Sequence, residues 1–259
     1  MTTNPVLLRV DKLCKSFGGV KALSGVSFEV KQGEIASIIG PNGAGKTTIF
    51  NSICRLYEPT SGDITFEGED LLRHRPSQLA SLGIGRTFQN LAIFRHETVV
   101  GNLLVGMHSR LRSGVIGGAW YWGFTRNEEI RAREEVERII DFLEIEQFRD
   151  HKVSQLSYGL QKRVELGRAL ATGPKLLLLD EMVSGMNQEE TEDIARFVLD
   201  LRDELGMTVL MIEHDMNVVM DISDSVHVVN FGVPVASGTP AEVSRHPAVI
   251  EAYLGTSIQ

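Results

Sequence analysis

The 259-residue chain has only two cysteines, Cys14 and Cys54. Their separation fits no metal-ligand or redox motif, so the sequence excludes a disulfide scaffold and suits a reducing compartment. Cys54 is expected to pack as a small apolar side chain. Basic residues are also in deficit: 26 Lys and Arg against 34 Asp and Glu give a formal net charge of -8. A chain without a basic excess is not built around an extended phosphate-binding surface, so no nucleic-acid partner is expected. No apolar run approaches the ~20 residues of a membrane span, and the opening MTTNPVLLRV lacks the basic and apolar regions of a signal peptide. A membrane role would therefore run through partner subunits. The seven histidines show no HExxH-like spacing, which leaves no expectation of a metal cluster. Internal repeats and low-complexity tracts are absent too, and the length suits one α/β domain with a subdomain.

What is present begins at the phosphate chemistry. EIASIIG, from Glu34 to Gly40, reads as a buried strand, and KTTIFNSICRLY shows helical apolar spacing at Ile49, Ile53 and Leu56. The string between them, Gly40, Pro41, Asn42, Gly43, Ala44, Gly45, Lys46, Thr47 and Thr48, is therefore a strand-to-helix turn. Glycines at positions 40, 43 and 45 let successive N–H groups point inward as an anion nest, and the helix adds its positive dipole end. Lys46 is placed to reach the β- and γ-phosphates of a nucleotide, Thr47 to offer its hydroxyl to Mg²⁺, and Thr48 to bond a phosphate nearer the ribose.

Around this turn, LLRVDKLCKSF and GVSFEVKQG read as antiparallel strands joined by the turn Phe17 to Gly19, and SGDITFEGEDL as a further strand. RPSQLASLG reads as a helix stopped by Gly83. From about Leu91 to Phe148 the pattern becomes helical, clearest in NEEIRAREEVERIIDFLEIEQF, with Val136, Ile139, Ile140 and Leu143 on one face. SGVIGGAWYWGFTRN is expected to form Gly-rich turns around Trp120, Tyr121, Trp122 and Phe124, serving either as a plug over that subdomain's core or as a docking surface. KLLLLD, MTVLMIEH and HVVN read as strands of a parallel, helix-covered sheet. TPAE, Thr239 to Glu242, is expected to cap a helix. Asp180 closes the apolar strand and is assigned to the Mg²⁺ shell, and Glu181 to the attacking water.

These residues carry a resemblance. LSYGLQKRVELGRAL, from Leu156 to Leu170 and upstream of LLLLDE, resembles the signature that marks ATPases of ABC transporters, and the likeness spans essentially the whole chain. The resemblance implies a P-loop NTPase core with a RecA-like parallel sheet, an antiparallel β subdomain and an inserted α-helical subdomain. It assigns residues 1–90 and 166–259 to the nucleotide-binding core and 91–165 to the helical part. It further implies that Phe17 stacks on adenine, Gln89 in GRTFQN contacts Mg²⁺ and the transport subunits, and His214 senses the γ-phosphate. Ser157 and Gly159 would meet an ATP held by another subunit's phosphate loop. ATP and Mg²⁺ would be the cofactors and ATP hydrolysis the activity.

KSFGGVKAL, GIGRTFQN, the insert near residue 120, IEHDMNVVM, ISD and IEAYLG together resemble the larger ATPase subunit of branched-chain amino-acid importers. That implies integral-membrane permeases, a second homologous ATPase or a second copy in an ATP-sandwich dimer, an external solute-binding protein acting indirectly, and a peripheral place on the cytoplasmic face of the plasma (inner) membrane. Other readings stay open: the ATPase of a lipopolysaccharide exporter, a soluble ABC ATPase, and a regulatory subunit without turnover. The chain departs from the common pattern at Tyr158 and Leu160 in the signature, at Met182 where Pro usually follows the catalytic Glu, and at Asn187 where Asp is commonest. Leu160 cannot bond a partner's ribose; Gln161 beside it is the alternative.

Overall fold

The computed structural model describes residues 4–87, 93–108 and 122–254. In chain order its elements are β1 (Val6–Phe17), β2 (Val20–Lys31), β3 (Ile35–Ile39), α1 (Lys46–Ile53), β4 (Ser61–Phe66), β5 (Glu69–Asp70), α2 (Leu79–Leu82), β6 (Ile84–Arg86), α3 (Val99–Met107) and α4 (Trp122–Phe142). They continue with α5 (Tyr158–Ala171), β7 (Leu176–Asp180), α6 (Gln188–Asp203), β8 (Thr208–Ile212), α7 (Met216–Ile222), β9 (Ser225–Asn230), β10 (Val233–Gly238), α8 (Pro240–Val243) and α9 (Pro247–Leu254). The chain folds as two compact units, Met1–Leu79 with Leu178–Gln259, and Ala80–Leu177.

In the first unit, alternation in the sequence becomes a half-buried sheet. Val26, Phe28 and Val30 of β2 are buried between exposed neighbours, the period-2 pattern of a strand with one face on the core. β1 pairs antiparallel with both β2 and β4, giving the order β2-β1-β4-β5. The second sheet obeys the opposite rule. β3, β7 and β8 have no exposed residue, because a parallel strand covered on both faces must be apolar throughout. β3 runs parallel to β8 and β9, and β10 closes the edge antiparallel to β9. The start of β3 is fastened by Asp224, whose Oδ2 accepts the N–H of Ile35 at 2.8 Å while Arg202 Nη1 donates to its Oδ1 at 3.0 Å. α6 buries Ile194, Phe197, Val198 and Leu201 along one stripe. Asn187 is its N-cap, accepting from Glu190 N at 2.9 Å in a reciprocal capping box. The expected cap at Thr239, with Pro240 and Glu242, is present on α8.

The second unit is a helical cluster. Val136, Ile140 and Leu143 are fully buried and Ile139 nearly so, as their spacing predicts. Two glycines set how closely the helices pack: a Cβ on Gly106 of α3 would overlap the carbonyl oxygen of Arg168 on α5, and one on Gly167 would come within 2.9 Å of Leu143 Cδ1. Asn102, fully buried, accepts from Phe94 N at 2.8 Å and donates to Phe94 O and Thr98 O at 3.0 Å, pinning the loop ahead of α3. β6 lies beside the entry to β7, where the N–H groups of Lys175 and Leu176 both donate to Gly83 O.

Some sequence expectations need correction. α1 ends at Ile53, and Leu56 is exposed: after Arg55 adopts positive φ (58°) the helical periodicity no longer applies. Trp122 to Asn127, expected in a Gly-rich turn, are helical residues of α4. A helix nucleated by the long run that follows extends cheaply through one glycine, at about 1 kcal/mol. Residues 113–121 of that segment lie outside the described residues. β6 and β10 escaped the pattern reading. β6 is three residues long, and β10 is an edge strand with a proline, Pro234, of the kind edges tolerate.

Two buried titratable groups of the first unit give opposing pH dependences. His227 on β9 is packed against Phe28, with its Nδ1 3.0 Å from Ser237 Oγ, and burial lowers its pKa to about 4. Because this value is depressed, its contribution to stability is present above about pH 6.5 and is lost as pH falls toward 4. Glu213 is raised by burial to about 7, so its contribution is present below 4.5 and is lost as pH rises through 7. His227→Gln removes only the first. The wild-type advantage over this variant in urea-unfolding free energy should grow by about 2 kcal/mol between pH 4.5 and 6.5. A difference that stays constant with pH would contradict the buried neutral imidazole.

Candidate functional site

The glycine-rich turn at residues 40–46, expected to wrap phosphate, is built by close backbone approach. A Cβ on Gly40 would overlap the carbonyl oxygen of Val229, and one on Gly45 would lie 2.9 Å from Ala22 O. Gly43 and Gly45 have φ of 80° and 101°, which only glycine adopts without strain. Nothing lies within 4 Å of the Cβ direction of Gly43, so the turn opens outward there. α1 starts at Lys46 with no side-chain cap, the form a helix takes where its first N–H groups face an anion. Lys46 is buried and its Nζ donates to Gly40 O at 2.7 Å and Pro41 O at 3.1 Å, across the turn. Burial lowers its pKa, while the carboxylates of Glu181 and Asp180 act to raise it. Thr47 is exposed and Thr48 half-buried.

Gly232 braces the turn, a role the sequence reading missed. Its N–H donates to Ala44 O at 2.9 Å and its carbonyl accepts from Ser24 N at 2.8 Å, linking the phosphate turn, the β9–β10 turn and β2. Its φ of 75° and the overlap of any Cβ with Ala22 O make glycine obligatory. The dipeptide Phe231–Gly232 between two apolar runs was the available signal.

β7 delivers Asp180, fully buried, and then turns sharply at Glu181, whose φ is 52°. A non-glycine residue there costs about 1 kcal/mol and is found where the surroundings over-determine it. Glu181 N donates to Ile212 O at 2.9 Å. His214, two residues beyond β8, places its Nε2 2.6 Å from Glu181 Oε1. Its side chain is 41% exposed and that of Glu181 14%, so the pair sits at an accessible edge where a proton or a water can be exchanged. Lys46, Asp180, Glu181 and His214, chosen from scattered motifs, thus belong to one unit and interact.

Phe17 is 44% exposed, with Tyr57 edge-on at 5.1 Å and Lys15 Nζ 4.9 Å from its ring. An exposed aromatic held edge-on keeps π surface for a planar ring. Tyr57 was not singled out by sequence reasoning. Gln89 lies outside the described residues.

The signature stretch belongs to the second unit. Ser157 is the N-cap of α5, accepting from Leu160 N at 3.4 Å, and is exposed; Gly159 is buried. Gln161, the candidate for a ribose contact, donates from Nε2 to Leu156 O at 2.9 Å, reinforcing the helix start. Lys162 and Glu165, each 1% exposed, pair at 3.4 Å beneath it. An i,i+3 Lys–Glu spacing was the signal for this buried pair, and it is indistinguishable in sequence from a solvated one.

The donors present suit magnesium nucleotide. Among the described residues no group of three or more His, Cys, Asp or Glu could hold a metal ion. Mg²⁺ needs no such group, since it takes one or two protein ligands and completes its shell with phosphates and water. An exposed Thr47 hydroxyl and the Asp180 carboxylate are the right donor types. Among the described residues no helix is long and apolar enough to cross a membrane.

Comparison with known proteins gives the family. The family described as ABC transporter matches residues 23–184, and that described as branched-chain amino acid ATP-binding cassette transporter matches residues 234–258. The high-affinity branched-chain amino acid transport ATP-binding protein LivG of Salmonella typhimurium is 41% identical over 249 residues, 96% of this chain and 98% of the relative. A crystal structure of an ATP-binding cassette of an ABC transporter in its ADP conformation aligns with TM-score 0.85 and 35% identity, covering 97% of this chain and 100% of the other. A dimeric cassette in a post-hydrolysis state, bound to ADP and Pi, aligns with TM-score 0.76 and 26% identity, covering 90% and 99%. With the family match covering more than half of the chain and similarity running nearly end to end, this chain belongs to the ABC transporter family as an ATP-binding, ATP-hydrolysing subunit.

Proposed function

We propose that this chain hydrolyses MgATP to drive an importer of branched-chain amino acids or a related small solute. The observation that carries the hydrolytic part is the 2.6 Å pairing of Glu181 with His214 in the unit that also holds Lys46. The solute class is supported by the match over residues 234–258 and by the identity with LivG.

In this reading Phe17 stacks on adenine and the glycine turn wraps the phosphates. Lys46 leaves the carbonyls of Gly40 and Pro41 to meet the β- and γ-phosphates as a charge-assisted donor. Thr47 and Asp180, with Gln89, would hold Mg²⁺, which would supply charge neutralisation on the phosphates. Glu181 orients the attacking water and accepts its proton, and His214 fixes the Glu181 carboxylate and reads the γ-phosphate. Ser157 and Gly159 face the nucleotide of a second ATPase subunit, in keeping with the dimeric cassette aligned above. The remaining partners are integral-membrane permeases and, through them, an external solute-binding protein. The chain is then peripheral, on the cytoplasmic face of the membrane. Loss of labelled leucine uptake in cells lacking this chain, and its return on complementation, is the test.

A further inference from the structure

Holding Glu181 Oε1 2.6 Å from His214 Nε2 requires two chain segments to keep a fixed spacing. Glu181 leaves β7 in a left-handed conformation, and His214 lies beyond the end of β8. One bond already joins them at the backbone, from Glu181 N to Ile212 O. The next residue along, Glu213, makes another.

Glu213 is 4% exposed and shares an apolar pocket with Leu179, Met182, Val183, Ile194, Met211 and Val218. A carboxyl is costly in such a place unless it is hydrogen-bonded. Its Oε1 accepts from Val183 N at 3.2 Å, and the nearby backbone N–H groups of Met182 and His214 favour its charged form. One side chain, on the residue next to His214, is thus bonded to the turn that follows Glu181. Burial, with a smaller repulsion from Glu181, holds its pKa up against these N–H groups, as expected where position is gained at the expense of solvation. Residue 182 belongs to the same device. Methionine brings an N–H to the carboxyl and a flexible apolar side chain to the pocket, whereas proline has no N–H to give.

We propose that Glu213 is a positioning residue for ATP hydrolysis, clamping the Glu181 turn to His214 through backbone N–H groups, one of them supplied by Met182. This rests on the assignment of Glu181 and His214 to turnover. It predicts that loss of the clamp slows the chemical step and leaves nucleotide binding intact, because the phosphate turn contributes nothing to it.

The test is a double-mutant cycle on the full chain, reading kcat and KM by phosphate release and binding by a fluorescent ATP analogue. Glu213→Ala should lower kcat about ten-fold or more, with the dissociation constant within about two-fold of wild type. Glu213→Gln, which keeps an oxygen acceptor in place, should recover kcat to within about three-fold of wild type. Met182→Pro should lower kcat in the wild-type background and change it less than about two-fold when combined with Glu213→Ala. Independent, multiplicative losses would overturn the proposal, as would unchanged kcat in Glu213→Ala or equal loss in the Gln variant. A general folding defect would appear as weakened binding in every variant, the Gln variant included, and would also overturn it. If Glu181→Gln turns over ATP like wild type, the underlying assignment fails instead, and this role falls with it.

Discussion

Replacing Glu181 with glutamine is expected to lower ATP turnover at least about a hundred-fold while ATP remains bound. The substitution is nearly isosteric, so the amide still fits beside His214 Nε2, 2.6 Å from the present Oε1. What disappears is the negative charge and the site able to take a proton from water. Mutation of a positioned general base costs about 10²–10⁴-fold, and it is the Glu181 carboxylate that lies 2.6 Å from the His214 imidazole. Binding should survive because the phosphate turn and Lys46 are untouched. If the chain forms an ATP-bridged dimer, the variant should hold it longer. Phosphate release and gel filtration with ATP measure the two effects; turnover within ten-fold of wild type would contradict the assignment.

Lys46→Ala should fail one stage earlier. The ammonium is buried, bonded to Gly40 O and Pro41 O, and lies within the fields of Asp180 and Glu181. Under the proposed function, removing it loses charge-assisted bonds to two phosphates, about 1.5–3 kcal/mol each. It also leaves two carboxylates near an incoming polyanion with less opposing charge. Affinity for a fluorescent ATP analogue should fall at least about a hundred-fold, with hydrolysis lost at any attainable concentration. The contrast between the variants is the sharper result: Glu181→Gln binds without turning over, and Lys46→Ala scarcely binds. Normal ATPase activity in Lys46→Ala would remove this turn from the nucleotide site.

Much of this was legible in the sequence because it depends on local chemistry. GPNGAGKTT specifies a conformation through its glycines and a charge through its lysine, and LLLLD specifies a doubly covered strand ending in a carboxylate. The alternation of Val26, Phe28 and Val30 showed the buried face of β2 for the same reason. What the sequence could not display was contact between distant segments. Glu213 falls at the end of a strand pattern, where nothing in the sequence shows that a buried carboxyl there accepts the N–H of Val183 from another turn. Gly232 reads as an ordinary turn glycine, and only the carbonyl of Ala44 explains it. Asn187, where Asp is commonest, is the N-cap of α6, a position that Asn and Asp fill equally well. The edge strand β10 was obscured by Pro234, which would exclude a central strand and is harmless at an edge.

The most direct test of the central claim is uptake of labelled leucine in cells lacking this chain, complemented with wild type or with Glu181→Gln. Uptake restored by wild type and absent with Glu181→Gln, both proteins present at equal levels, is the predicted result. Equal uptake with either protein, or uptake unaffected by loss of the chain, would contradict a role in powering branched-chain amino-acid import.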